Sequence, residues 1–460
     1  MRILYLVPYA PNLIRVRPYQ LIRALARRGH EVEVAALWSS REEEDGLRQM
    51  ARENATIRIR ARRLPPWRPV WNCLRVMSSR IPFQAAYSYD PGLLCEVGKA
   101  LGERSFDVVH VEHLRGSIFG LNIRRLLSDG RRNDALRRSR VPVVWDCVDC
   151  ISHLFAQASR ASRSLKGRWM TQLELPRTRR FEGWLTTQFD HTLTASAGDR
   201  EALRALAGRQ GTGEAPKHSG AHGSLPITVL PNGVDLDYFR PSTEARDPAT
   251  LVFAGKMSYH ANLTAAFHLL QEIMPLVWRE RPDAQVVIAG KDPPRSLLAL
   301  AAVSEGRGAD SHSRATCGGE RVKVTGTVPD LRPYLQRATV SVAPVVYGAG
   351  IQNKVLEAMA CATPVIASSR AAAALSARAG RDLLVADDPA AFALEILALL
   401  ADDSRRRSIG SAGRAYVEAH HDWEAIAGLL ESAYRNAIAA AREERLRPAF
   451  PGVTAGENLQ

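Results

Sequence analysis

The chain has no run of about 18 apolar residues, so no stretch of it reads as a membrane-spanning helix. Its opening, MRILYLVPYAPN, carries an apolar run too short for a secretion signal and reads as a first strand. That leads to the expectation of a cytoplasmic protein, with peripheral attachment to the inner face of the plasma membrane as a further option. Cysteine is sparse: Cys73, Cys95, Cys147, Cys150, Cys317 and Cys361 are scattered, which fits a reducing compartment. The single pair Cys147-Val-Asp-Cys150 has no second pair to complete a zinc set, and no metal is expected. Aromatics make up 7% of the chain and are not interleaved along a basic stripe, which argues against nucleic acid as a partner. Acid is short in one half only. Residues 1–200 hold 34 Lys and Arg against 20 Asp and Glu, while the remaining 260 balance at 28 each. The whole net charge of +14 therefore lies in the first half, pointing to an anionic partner such as a membrane surface, or to an Arg-rich solvated face. Glycine is missing from the first strand-to-helix loop, PYAPNLIRVRP, which excludes a dinucleotide fingerprint there and leaves Arg15 and Arg17 as its notable side chains.

What is present is a regular alternation of short apolar runs and amphipathic segments. Ile3–Val7, Glu31–Leu37, Asp107–Val111, Pro142–Trp145 and His191–Ala195 read as buried strands in the first half. Several end in polar residues (His110 and His113, Asp146 and Asp149, Ser196), the place where open α/β sheets bind ligands. Residues 156–189 read as one or two long basic helices whose apolar side is Trp169, Leu173, Phe181 and Trp184, a pattern compatible with a membrane surface. Residues 131–140 read as a basic loop, and 208–224 and 304–319 as loop insertions. The second half repeats the alternation, with helices over 263–279, 389–400, 403–420 and 423–445. The expected fold class is α/β, with two doubly wound Rossmann-like domains facing each other across a cleft. The expected boundaries are 1–205 for the first domain, 206–226 for a mobile insertion, 227–420 for the second domain, a helix at 421–445 packing back on the first, and a disordered tail at 446–460.

The stretch Val345–Ser369 is the most informative. A loop with Gly348 and Gly350 runs into a helix over Asn353–Cys361, and a buried strand follows. Glycines at a helix entrance let backbone N–H groups approach an anion, where the helix dipole is positive. Lys354 can reach the same anion, and Glu357 projects from the same side one turn on. Phosphates at the dipole with a ribose diol on the carboxylate is one reading; an ordinary strand–loop–helix corner is the other.

Five segments in fixed order resolve that choice: LPNGVDLDYFRP at 230–241, LVFAGKMSYHANLTA at 251–265, VVIAGKDPP at 286–294, VTGTVPDLRPYLQRATVSVAP at 324–344 and GAGIQNKVLEAMACATPVIAS at 348–368. Together they resemble glycosyltransferase family 4, the group 1 sugar transferases with the GT-B fold. The first half matches more loosely through RPYQLIRALARRGHEVEVA and FDVVHVEH, and IQNKVLEAMA resembles the branch associated with exopolysaccharide and exosortase systems. The resemblance implies a retaining, nucleotide-sugar-dependent transferase acting on a glycan or lipid-linked glycan. It needs no cofactor beyond its substrates and no metal, and Asp235-Leu-Asp237 lies in a turn rather than a metal site. On the donor side the implied residues are Gly255, Lys256, Val328, Leu331, Gly348, Ala349, Gly350, Gln352, Asn353, Lys354 and Glu357, with Lys256 on the diphosphate and Glu357 on the ribose. Asp146 or Asp149 replaces the family's histidine in the first domain, so the implied catalytic set is Lys256, Glu357, Asp146 and Asp149. Arg15, Arg17, His110 and His113 stand on the acceptor side. Two departures matter: Ala349 occupies the place of the family's first glutamate, and Asn262 or a neighbour that of a second basic residue. They keep two alternatives open, a non-catalytic GT-B binding subunit and a GT-B-fold nucleotide-sugar epimerase.

Overall fold

A computed structural model describes residues 1–128, 141–161, 165–208, 226–304, 321–348 and 350–446. The basic loop at 131–140, most of the two expected insertions, the tail after 446, Cys317 and Ala349 lie outside these residues.

Thirteen strands form two all-parallel sheets among the described residues. The first contains β1 (Arg2–Val7), β2 (Glu31–Trp38), β3 (Ile57–Arg63), β4 (Val108–Glu112), β5 (Val143–Asp146), β6 (His191–Thr194) and β7 (Ile227–Val229), in the order β3-β2-β1-β4-β5-β6-β7. The second contains β8 (Thr250–Ala254), β9 (Gln285–Ala289), β10 (Val322–Gly326), β11 (Val340–Ala343), β12 (Val365–Ala367) and β13 (Leu384–Val385), in the order β10-β9-β8-β11-β12-β13. Each is doubly wound, and each reverses its strand order once, between β1 and β4 and between β8 and β11. Central strands are apolar throughout because helices cover both faces; β1, β4 and β8 are buried along almost their whole length. The edge strand β3, IRIRARR, was hidden in the sequence by alternating arginines. Its pairing with β2 (Val34 opposite Ile59) is secured by Arg60, which bonds Glu33.

Two local features position the cleft. The helix Asn353–Ala360 points its N-terminus at the C-terminal end of β11, and its other end is held by two arginines. Arg246 donates to the carbonyls of Cys361 and Ala362, and Arg414 to that of Ala360. Cations at a helix C-terminus satisfy carbonyls that have no intrahelical partner and complement the dipole. The helix expected over 263–279 runs from His260 to Glu280 but passes through one π-helical turn at Leu269–Ile273. Pro275, two residues past that turn, cannot donate to the ladder, and the local rearrangement absorbs its missing N–H.

The last helix, Trp423–Leu446, leaves the second domain and packs against the first. Trp423, Ile426, Leu430 and Tyr434 join Ile3, Tyr5 and Val7 in one core. Glu431 accepts from both Arg28 and His30, and these partners, Arg28 foremost, hold its carboxylate down at about 2. The basic stretch at 156–189 departs from expectation. It forms two helices, Ile151–Ala161 and Leu165–Leu185. Glu174, Thr178, Phe181, Glu182 and Leu185 face inward, whereas Leu173 and Trp184 face solvent, so the expected single apolar side is split. Glu182 explains the inward turn: it receives the N–H groups of Ile151 and Ser152 at the start of the preceding helix.

Candidate functional site

At the carboxyl end of the second sheet, β8 and β9 are each followed by Gly-Lys, Gly255-Lys256 and Gly290-Lys291. A side chain on Gly290 would sit 1.8 Å from the Gly255 carbonyl, so the two turns pack backbone to backbone. Lys256 leaves this turn half-exposed, with its ammonium 3.7 Å from Asp292. Asn262, in the helix that follows, donates to the Lys256 carbonyl (3.0 Å) and accepts from Lys354 Nζ (2.6 Å). The residue standing in place of a second cation therefore orients one supplied from elsewhere. Lys354 also lies 3.4 Å from Gln352 Oε1, so its ammonium is bonded to amide oxygens rather than to a carboxylate. Burial pulls its pKa down to about 8, with Glu357 opposing the shift only in part. Burial likewise pushes Glu357 up to about 7, against the pull of Lys354. A cation and a carboxylate stripped of water and not neutralising each other gain from a ligand that supplies the missing partners. Val328 and Leu331 follow β10, and Leu331 packs into the core beneath.

The glycine loop meets the first domain. Gly348 N–H donates to Gln157 Oε1 (3.2 Å), and a Cβ on Gly350, whose φ is +72°, would fall 2.0 Å from Asp149 Oδ1. Asp149 is thereby placed against the mouth of the loop, and burial, then Asp199, raises its carboxyl to about 7. Asp149, Gly348, Gly350, Gln352, Asn353 and Lys354 thus come together at the interdomain cleft.

Asp146 does not join them. It is 0% exposed, one oxygen accepting from Arg17 Nε (2.9 Å) and the other from Val148 N–H (3.0 Å). Arg17, 5% exposed, also donates to Asn232 Oδ1 (2.7 Å), and Asn232 Nδ2 reaches Asn353 Oδ1 (3.3 Å). The Asn-Gly turn is therefore a link running from Asp146 through Arg17 to the first residue of the helix Asn353–Ala360. His110 is also 0% exposed, stacked on Tyr5 at 4.0 Å and bonded to Tyr434 Oη (2.9 Å). Arg17, His110 and Asp146, expected at the ends of strands or in the loop after β1, are thus buried together at the switch point of the first sheet. His110, Glu112 and Asp146 offer ligand atoms within 4.8 Å of one another, but the guanidinium on Asp146 already supplies the cluster's positive charge. Asp235 is spoken for by Gln20 and by Tyr238 N–H.

Arg15 and His113 lie outside that cluster, and Arg15 pairs with Glu43 at 3.2 Å. Arg15 stacks over Tyr9 (4.6 Å), whose ring meets His113 edge-on at 6.3 Å. His113 has φ +63°, a strained value for a side chain of its size, and its carbonyl accepts from Trp145 Nε1 (3.3 Å). Burial, then Arg115, lowers its pKa to about 3, so the imidazole is neutral at physiological pH. Arg115 lies over the Tyr87 ring (4.7 Å). Tyr9, Tyr87, Arg115, Gln157 and Asn232 were not picked out from sequence. Only Tyr9, sharing a loop with Arg15, and Asn232, in a recognised motif, carried a signal that could have found them.

A family model for glycosyl transferases group 1 matches residues 248–402, and one for a glycosyl transferase 4-like domain matches residues 14–212. The chain belongs to glycosyltransferase family 4. Similar curated proteins include a GDP-mannose-dependent monoacylated alpha-(1-6)-phosphatidylinositol monomannoside mannosyltransferase from Corynebacterium glutamicum, 32% identical over 44% of this chain and 55% of the relative. A phosphatidyl-myo-inositol mannosyltransferase from Mycobacterium leprae is 28% identical over 45% and 52%. The chain thus spans about half the length of the curated relatives it matches. Among solved structures, sucrose-phosphate synthase from Thermosynechococcus elongatus superposes with a TM-score of 0.64 at 17% identity, covering 96% of this chain and 100% of that one. Anabaena HepE in complex with UDP-glucose does so at 0.62 and 14%, covering 95% and 100%. At these identities the likeness concerns the fold, which is GT-B.

Proposed function

We propose that the protein transfers a glycosyl group, with retention at the anomeric carbon, from a nucleotide-sugar donor to a glycan or lipid-linked glycan in cell-surface polysaccharide synthesis such as exopolysaccharide assembly. The observation that carries this reading is Lys354. Its ammonium sits in the first turn of Asn353–Ala360, desolvated and aimed by Asn262, beside loop amides at the sheet's switch point. Such a set stabilises the charge that develops on a departing nucleoside diphosphate, and Lys256 adds a second cation at the rim. No resident cofactor is proposed. Glu357, one turn inward, takes the ribose diol, and Val328 and Leu331 flank the base. Asp149 at the loop mouth and the neutral imidazole of His113 face the side from which an acceptor enters. The phosphatidylinositol mannosyltransferases named above support a nucleotide-sugar donor and a lipid-borne acceptor.

The test is a thermal-shift screen of the full chain against UDP-, GDP- and ADP-sugars, followed by transfer assays with lipid-linked acceptors. Stabilisation by one nucleotide series, followed by product with retained configuration, is the expected result. Binding without turnover on any acceptor would favour the partner-subunit reading, which Ala349 in place of the usual glutamate supports. Nucleotide release without transfer would favour an epimerase.

A further inference from the structure

The short helix Trp67–Arg75 is turned inside out relative to a packed amphipathic helix. Trp67, Val70, Trp71 and Leu74 fall at i, i+3, i+4 and i+7, one face of a helix, and that face is the exposed one, at 51–62%. Met77, just beyond, is 57% exposed. The residues turned inward include a polar one: Asn72, buried, donates to the carbonyls of Tyr87 and Tyr89 and pins the helix in this rotation. A second apolar projection, Leu13 and Ile14 at 70% and 65% exposed, stands on the loop after β1. Arg115 joins the two elements, since it lies over Tyr87 and its charge is felt against both Arg15 and the Cys73 thiol of the exposed helix. The patch therefore borders the acceptor mouth of the cleft.

The stretch that carries it has one sign of charge, with Asp90 and Glu174 the acids beside it. Residues 54–89 contain no Asp or Glu and seven arginines. Of these, Arg58, Arg62, Arg63, Arg75 and Arg80 are exposed, and Arg62 pairs with Asp90.

We propose that this face is a membrane-docking surface, in which the Trp67–Met77 stripe and Leu13–Ile14 enter the interface of an anionic bilayer while the flanking arginines engage its headgroups. Tryptophans with apolar bodies and polar tips, ringed by cations, match the headgroup boundary of a bilayer and not its core. A second copy of the chain fits poorly, because a symmetric contact through this patch would set arginines against arginines. Docked in this way, the cleft mouth faces the leaflet in which a lipid-linked acceptor resides; this step rests on the acceptor reading above, whereas the docking itself does not.

Co-sedimentation of the full chain with phosphatidylcholine vesicles, with and without phosphatidylglycerol, tests the proposal. Binding to the anionic vesicles should exceed binding to the neutral ones, and should fall by roughly tenfold or more in W67E/W71E/L74E, whose residues are too exposed to support folding. That variant should keep its circular dichroism and its thermal shift with the preferred nucleotide-sugar. R63E/R75E/R80E should lose the preference for anionic vesicles. Equal pelleting of the native chain and W67E/W71E/L74E would overturn the proposal. So would a native dimer, without vesicles, that W67E/W71E/L74E converts to monomer. Docking without any nucleotide-sugar effect would leave the surface standing and sink the transferase reading instead.

Discussion

Two clusters of buried charge sit at equivalent places, each at the switch point of a parallel sheet, and they are wired in opposite ways. In the first domain Arg17 and Asp146 neutralise each other at 2.9 Å, and Tyr5, Tyr434 and Asn232 take up much of the remaining valence around them. In the second, Lys354 is held by neutral amides while Glu357 stays desolvated one turn away. The same crevice in the same fold is thus built around a direct ion pair in one half, although Glu112 Oε1 and His110 Nε2 stay without a hydrogen-bond partner beside it, and around a cation held only by amides in the other. Opposite charges that find each other build structure; those kept apart by amides wait for a ligand. Position at a switch point is therefore not sufficient to mark a ligand site.

The comparison breaks most directly at its closed end. Arg17→Ala leaves Asp146 charged and unpaired in the core, and breaking a buried pair costs about 3–5 kcal/mol. Chemical denaturation should show that loss, while nucleotide-sugar affinity per folded molecule changes little. An Arg17→Ala protein of native stability would mean that the hub is dispensable. At the open end the effect should appear in turnover and not in folding. Lys354→Ala, Glu357→Ala and Lys256→Ala should each lower transfer by about 10²–10³, the scale for removing one preorganised charge-stabilising group, without lowering the unfolding midpoint. Near-normal rates in all three would place the donor elsewhere.

Gly350→Ala probes the seam between the two halves. Its Cβ would strike the Asp149 carboxylate, and φ +72° disfavours any side chain there. Donor affinity should drop by roughly tenfold, and stability by about 1–3 kcal/mol, the scale of backbone strain of this kind. Calorimetric titration with the preferred nucleotide-sugar decides this, and affinity equal to that of the native chain would show that the loop need not meet Asp149.

The open cluster was more legible in the sequence than the closed one, for a physical reason. Gly348, Gly350, Lys354 and Glu357 fall within ten residues, so helix geometry alone relates them. Arg17 and Asp146 are 129 residues apart, and only the strand order brings them together. His110 and Asp146 were therefore visible as strand-end residues but not as buried ones. The strand β3 was concealed by arginines that alternate with its apolar face. The alternation of the two domains was plain because central parallel strands are unbroken apolar runs. Asn262 was noticed for what it lacked, a charge, and only the fold shows that it receives Lys354 instead. The exposed stripe on Trp67–Arg75 has ordinary helical spacing, and nothing local says which way such a helix is rotated. That is settled by Asn72 and two distant carbonyls.

The smallest effect tests the wiring itself. A folded-state pKa near 8 for Lys354 lies below the ordinary lysine value, so between those values the folded protein holds fewer protons than the unfolded one, and stability rises with pH across that window. Glu357 has the opposite sign: its pKa is raised to about 7, and its contribution falls as pH climbs from the ordinary carboxylate value to about 7. A diphosphate placed on Lys354 favours the ammonium and raises its pKa. Donor binding above pH 8 should therefore take up a fraction of a proton, which titration calorimetry reads in buffers of different ionisation enthalpy. Lys354→Met should abolish that uptake while Lys256→Met leaves it, because Lys256 is already half in water. Equal uptake in the two variants would mean that the diphosphate does not rest on Lys354, and the contrast between a closed and an open cluster would lose its functional meaning.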